Sequence, residues 1–250
     1  MKSYQLEVLS PKKLNNQSIQ SWFTLKGKLV RDDASIHGLN LGYNTEENPD
    51  IIRDNRDLLA EFINTPKLNI AFAKQVHSNE IRNVEQGGIY LNVDGFVSKT
   101  PGIALAIQVA DCAAVLFADE ENGVIGACHA GWRGAVADIV LNTIKEMEDI
   151  GATKNTISVY ISPCISSAKF EVGEEVASQF PDEFVIREGS RKPHIDLKAF
   201  LIHQLESAGI ANERIEANKD CTYLDSQAYY SYRREGKRSG RMMGIIKLND

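Results

Sequence analysis

Between Lys67 and Ala130 the chain strings together five short apolar segments: KLNIAFAKQVH, NVDGFVSK, GIALAIQVAD, AAVLFAD and GVIGACHA. Turn signals such as Pro101-Gly102 and Asn122-Gly123 separate them, and each segment is rich in Val, Ile, Leu or Ala. A run of consecutive strands with no helix between them does not build the alternating units of a doubly wound fold. It needs sheets whose free faces are covered by helices from elsewhere in the chain. Three such helices are legible. IIRDNRDLLAEFIN aligns Ile51, Ile52, Leu58, Leu59, Phe62 and Ile63 on one face, with Asn55 as its polar member. AVADIVLNTIKEMEDIG aligns Val136, Ile139, Val140, Ile144 and Met147 and stops at Gly151. A third runs from Asp196, an N-cap residue type, through Leu197, Phe200, Leu201 and Leu205 to Gly209. The C-terminal third adds strand signals in TISVYIS, FEVG, EFVIR and MMGIIKL. The expectation is an α+β fold of layered sheets with helices packed on the outer faces, in a single domain over residues 1–250.

Composition narrows the function. With 43% hydrophobic and 25% charged residues the chain can bury one substantial core. The longest apolar candidate, GIALAIQVADCAAVLFA, is interrupted by Gln108 and Asp111, so no membrane span is expected. MKSYQLEVLSPKKLNN lacks the apolar centre and cleavage site of a signal peptide, which makes a cytoplasmic location the default. A net charge of -6 disfavours nucleic acid as a general partner. Four cysteines without a CxxC pair read as free thiols or metal ligands, not as a disulfide scaffold.

Of five histidines, His77 and His129 each end an apolar strand signal, and Cys112 lies within VADCAAVLF. If those strands are neighbours, two imidazoles and a thiolate converge, a donor set that suits zinc with one position open. On the residues alone the commoner reading is the plainer one, hydrogen-bonded rim histidines and a packing cysteine. Strand alternation sends Cys128 to the core and His129 to the opposite face. Two carboxylates are available, Glu80 in HSNE and Asp111 beside Cys112, and Asp111 reads as structural support.

The turn GWRG after His129 carries Gly131 and Gly134, which permit close backbone approach, and Arg133, a planar fork of donors. It is either an anion cradle or a tight strand-to-helix turn with a surface arginine. The segment YYSYRREGKRSGR gathers Arg233, Arg234, Lys237, Arg238 and Arg241 behind three tyrosines, as a solvated loop or a clamp for a sugar phosphate.

Taken together, KQVHSNE, DGFVSKTPGIALAIQVADCAAVLFAD, ACHAGWRGAV, SPCISSAKFEVGEEV and SYRREGKRSGRM resemble the YfiH-type family, long labelled multicopper polyphenol oxidase or laccase domain. Its members are regarded as purine nucleoside phosphorylases with adenosine deaminase and methylthioadenosine phosphorylase activities. The resemblance implies a layered α+β fold, His77, Cys112 and His129 as zinc ligands, and Cys112 and His129 as catalytic groups. It also implies Asn40 of HGLNLG near the pocket, and Arg133 and Arg233 as substrate-binding residues for phosphate and ribose. In one respect the chain departs from the pattern. Where relatives carry an arginine in FSTR, this chain reads FTLK, and Lys26 keeps the charge but loses the bidentate fork.

The function implied is zinc-dependent phosphorolysis of adenosine, inosine and methylthioadenosine, with adenosine deaminase activity and with nucleoside and phosphate as partners. Three other readings stand beside it. The His2Cys set resembles a blue-copper site, but five histidines are too few for a complete single-chain laccase, which leaves a mononuclear copper-dependent polyphenol oxidase. Cys112 with His129 or His77 could serve a metal-free Cys-His hydrolase like the cytotoxic necrotizing factor toxins, whose fold is similar, including the cell-wall precursor editing ascribed to some relatives. A zinc-stabilised interaction module would need no catalysis at all.

Overall fold

The computed structural model describes residues 6–28 and 32–249, so the first five residues of the N-terminal stretch lie outside it. In chain order the strands are β1 (Val8–Leu9), β2 (Ile19–Thr24), β3 (Ile70–Lys74), β4 (Ile81–Asn83), β5 (Gly88–Leu91), β6 (Gly95–Ser98) and β7 (Ala104–Val109). They continue with β8 (Ala113–Asp119), β9 (Val124–Ala130), β10 (Ser158–Ile161), β11 (Val185–Ile186), β12 (His194–Ile195), β13 (Ile215–Ala217) and β14 (Met242–Leu248). The helices are α1 (Pro49–Phe62), α2 (Trp132–Val136), α3 (Ile139–Asp149), α4 (Glu174–Ala177), α5 (Leu197–Ser207) and α6 (Tyr232–Glu235).

Two six-stranded sheets form, one in the order β1-β2-β14-β7-β3-β5 and the other β13-β10-β8-β9-β6-β4. Their side chains sort by alternation into three apolar layers. Leu105, Ile107, Val109 and Ile246 of the first sheet meet Phe96, Leu116, Ile125 and Ala127 of the second in the middle layer. Ala104, Ala106 and Ile245 face outward to Leu59 and Ile63 at the end of α1, while Val115, Phe117 and Cys128 face outward to α3 and α5. Helix, sheet, sheet, helix is therefore the layer order, with the helices on the outer faces as expected. Each fully buried Leu, Ile or Phe contributes about 1.5–3 kcal/mol, which is why alternation in the central strands is decisive.

Local chemistry sets the helix ends. Asn48 accepts a hydrogen bond from Asp50 N ahead of Pro49, and Asp196 accepts from Ala199 N at the start of α5. The helix expected through Val136 and Met147 is instead two. Asp138 adopts a left-handed conformation at φ 62°, and Gln204 of α5 donates to both Ala135 O and Asp138 Oδ1. A tertiary clamp thus holds a break that helical spacing cannot reveal. FEVG is likewise not a strand: Glu171 makes an isolated bridge to His194 before α4 begins. The short strands β1, β4, β5, β12 and β13 carry too little apolar pattern to be read in advance.

Parallel β3 and β7 of one sheet and β9 of the other end at a common edge, and β8 starts there, its Ala114 paired with His129. The crossing between the sheets, from Val109 to Ala113, carries Asp111 and Cys112 over that edge.

Candidate metal centre

One atom each from His77, Cys112 and His129 lie within 4.8 Å of one another, and this is the one such metal-competent group among the described residues. The His77 and His129 rings meet edge to face with centroids 4.7 Å apart. His77 is exposed, Cys112 half-buried and His129 buried, so the set opens to one side. Strand order brings it together: His77 follows β3, Cys112 precedes β8 and His129 is in β9.

Asp94, buried and not singled out from the sequence, organises this centre. Its Oδ1 lies 2.8 Å from His129 Nδ1, which leaves Nε2 as the imidazole atom free to bind a metal. The same carboxylate accepts from the backbone N–H of Val76, His77 and Ser78 and from Ser78 Oγ, locking the turn in which His77 sits at φ 62°. Burial alone would raise the Asp94 pKa; the bond to His129 and those from the turn outweigh it and hold the group down at about 2. The only sequence signal was an aspartate at the start of an apolar strand, NVDGF, which resembles any turn aspartate.

Electrostatics favour a thiolate. Burial would push the Cys112 thiol up, but the His129 charge and hydrogen bonds from both histidines bring it down to about 6. Burial likewise opposes charge on His129, and Cys112 followed by Asp94 raises it to about 9. Cys128, by contrast, lies in the outer core with Thr143, and burial pushes its thiol up to about 12. The site also explains Gly131. A Cβ there would stand 2.9 Å from Cys112 Sγ, 3.4 Å from His77 Cδ2 and 3.7 Å from His129 Nε2. Glycine is what lets the turn close over the three donors. Two imidazole nitrogens and a thiolate, fixed in this way, fit zinc with a fourth position open, and the same donors can accept copper.

A cavity of about 260 Å³ adjoins the three residues. Its lining mixes the apolar side chains of Trp132, Ile165, Phe170, Leu197 and Tyr232 with the polar ones of Asn44, Gln75, Gln108, Arg233 and Arg241, and the Arg233 and Arg241 guanidiniums lie over the Phe170 and Tyr232 rings at 5.8 and 5.6 Å. Arg233 donates to Glu171 O, and Arg241 to Ser239 O and Gly240 O. Carbonyls thus occupy only part of each guanidinium's five donors.

The other expected site residues fall elsewhere. Arg133 is exposed and lies over the Trp132 ring at 4.3 Å, outside the set that lines the cavity. Asn40 is fully buried; its side chain donates to Thr45 Oγ1 and accepts from the N–H of Gly42 and Arg241, so it shapes the loop beside Arg241 and does not reach the cavity itself. Lys26 is half-buried, donates to Ser226 O and sits over the Tyr230 ring, also outside the lining. Glu80 is exposed. Asp111 lines the cavity at φ 84°, yet its carboxylate is engaged by Thr222 Oγ1, Ser231 Oγ and the Arg233 N–H, which confirms it as structural support. Arg234, from the same basic cluster, donates to the carbonyls of Thr222, Tyr223 and Tyr229 and ties the C-terminal loop together.

Residues 21–249 match the family model described as multi-copper polyphenol oxidoreductase laccase. The chain belongs to this family. Within the laccase-domain family, a protein of Deinococcus radiodurans named purine nucleoside phosphorylase is 37% identical over 216 residues, covering 84% of this chain and 82% of that protein. Purine nucleoside phosphorylase YfiH of Escherichia coli is 33% identical over 243 residues, covering 92% and 98%. The crystal structure of YlmD from Geobacillus stearothermophilus superposes with a TM-score of 0.88 at 25% identity, covering 100% of this chain and 98% of that one. No helix among the described residues is long and apolar enough to cross a membrane.

Proposed function

We propose that this chain is a zinc-dependent purine nucleoside phosphorylase acting on adenosine, inosine and methylthioadenosine, with adenosine deaminase activity from the same cavity. The observation that carries the reading is the juxtaposition of a His77–Cys112–His129 donor set with a cavity lined by aromatic side chains and by Arg233 and Arg241. The relatives named purine nucleoside phosphorylase support it. When bound, zinc supplies Lewis acidity toward an oxygen of the reactants.

The chain's own residues do the rest. Arg233 and Arg241 bind phosphate and neutralise the charge it carries toward C1' of the ribose. Phe170, Trp132 and Tyr232 supply aromatic surface against which a purine ring packs, each with one face already under a guanidinium, that of Arg233, Arg133 and Arg241 respectively. Asp94 fixes the His129 tautomer, so the imidazole stays aimed at the open side. Deamination draws on the same cavity, with water attacking C6 of the adenine in place of phosphate attacking C1', and with the 6-amino group leaving as ammonia. A single catalytic domain in the cytoplasm completes the proposal, since the middle apolar layer takes residues from both sheets and four free thiols suit a reducing compartment.

One observation favours a second reading. Cys112, His129 and Asp94 form a hydrogen-bonded chain with a lowered thiol and a raised imidazole, the arrangement of a Cys-His-Asp hydrolase, cell-wall precursor editing included. Metal content separates the two, because a thiolate held by zinc is not a free nucleophile. A copper oxidase would show copper in the same measurement.

The test is elemental analysis of the purified protein, followed by incubation with adenosine or inosine with and without phosphate and chromatography of the products. Near-stoichiometric zinc, with free base formed only when phosphate is present, is expected. Inosine formed from adenosine without phosphate reports the deaminase activity. A zinc-loaded protein that forms neither product overturns the nucleoside reading.

A further inference from the structure

Resting on the phosphorylase reading for the role of Arg233, we propose that Asp111 is a positioning residue: it holds the phosphate-binding Arg233 and Cys112 of the metal donor set in one fixed relation. Asp111 precedes Cys112 in the crossing between the two sheets and adopts φ 84°. A left-handed backbone at a residue other than glycine is unfavourable and persists only where its surroundings fix it. Four hydrogen bonds do so here. Thr222 Oγ1 donates to Oδ1 at 2.7 Å, while Ser231 Oγ at 3.0 Å and the Arg233 N–H at 2.7 Å both donate to Oδ2. The Asp111 carbonyl accepts from the Ile165 N–H at 2.9 Å.

These bonds end on the cavity wall. Ile165 and Arg233 line it themselves. Ser231 caps α6 by accepting from the Arg234 N–H, so its hydroxyl ties the Asp111 carboxylate to the helix on which Arg233 stands. From that helix the Arg233 guanidinium reaches Glu171 O and the Phe170 ring. In the other direction, one peptide away, Cys112 takes its place beside His77 and His129. Asp111 is only 9% exposed, so water competes little for its bonds. The carboxylate thus does more than close a loop: it fixes where an anion-binding side chain starts and where a metal donor starts.

The partners say that shape carries this role. Asparagine tolerates a left-handed backbone as aspartate does. Its Oδ1 can accept from Ser231 and from the Arg233 N–H while its Nδ2 donates to Thr222 Oγ1, since a hydroxyl accepts as well as it donates. Alanine supplies none of these bonds. A group that positions its neighbours is therefore rescued by asparagine, whereas a group that exchanges a proton with the reactants is not.

The experiment compares wild type, Asp111→Ala, Asp111→Asn and Ser231→Ala by zinc affinity in chelator competition, by binding of inorganic phosphate in calorimetry, and by kcat and KM for phosphate. Asp111→Ala should weaken zinc roughly 10-fold and raise the phosphate Kd and KM by a similar factor. Asp111→Asn should bring all three to within about threefold of wild type. Ser231→Ala keeps the carboxylate and loses only the tie to α6, so it should weaken phosphate roughly 3- to 10-fold and leave zinc unchanged. A folded Asp111→Ala variant with both affinities within about twofold of wild type would overturn the assignment, because the carboxylate would then serve the fold alone. An Asp111→Asn variant that binds zinc and phosphate normally but has lost kcat would overturn it too, by making Asp111 a proton-transfer group. Where Asp111→Ala does not fold, Ser231→Ala decides: unchanged phosphate affinity removes the link to Arg233. A wild-type protein that binds zinc and phosphate yet forms no free base from any nucleoside defeats the phosphorylase reading alone, since neither affinity depends on turnover.

Discussion

Replacing Gly131 with alanine should separate metal binding from folding. The backbone at Gly131 has φ -78° and ψ 173°, a conformation open to any residue, so alanine brings no torsional strain. The added Cβ would stand 2.9 Å from Cys112 Sγ, roughly 0.6–1 Å inside an optimal contact. Backbone on one side and thiolate on the other must part by that amount, against a tolerance of about 0.2 Å in metal–ligand distances. A displaced ligand predicts a loss of about 100-fold in zinc affinity, roughly 3 kcal/mol. Folding of the metal-free protein should suffer less: overpacking costs about 1–3 kcal/mol, and loss of glycine freedom in the unfolded chain returns about 0.4–1 kcal/mol. The assay is competition with a chromogenic chelator for affinity, alongside thermal melts with and without zinc. A variant that binds zinc within about threefold of the parent would refute both the ligand set and the reason given for this glycine.

Cys112→Ala should abolish retention of zinc through size-exclusion chromatography; stoichiometric zinc in that variant would remove Cys112 from the ligands. Asp94→Asn places an amide where two backbone N–H groups and Ser78 Oγ converge, and should cost about 3 kcal/mol in a urea titration. Because the Asp94 pKa is lowered from 3.8 to about 2 in the folded protein, its stabilisation is present above pH 4 and lost as pH falls from 4 toward 2. It amounts to about 2 kcal/mol, and Asp94→Asn should flatten that part of the profile. Arg233→Ala and Arg241→Ala should each raise KM for phosphate by 10-fold or more (~1.4 kcal/mol or more). Arg133→Ala, removing an exposed side chain stacked on Trp132, should change it less than twofold; the opposite ranking would restore the turn as the anion site.

Much of the scaffold was legible in the amino-acid order because it follows from period, whereas His77, Cys112 and His129 were candidates that period left open and only the family resemblance singled out. Strand alternation determined which of Cys128 and His129 turns inward, apolar spacing determined α1, and spacing with the Asp196 cap determined α5. The stretch from Lys67 to Ala130, strand after strand, was enough to require helices from outside it. Convergence belonged to the tertiary structure. Whether the ends of β3, β8 and β9 meet depends on sheet order, which no local pattern encodes. The same holds for Asp94, whose role rests on partners at positions 76 to 78 and 129. It holds too for the orientation of charged side chains. Arg133, Arg233 and Arg241 are equivalent as letters, and only packing turns the first onto Trp132 and the other two toward the cavity. A side chain's chemistry is written in the sequence, but its neighbours are settled by contacts between distant strands.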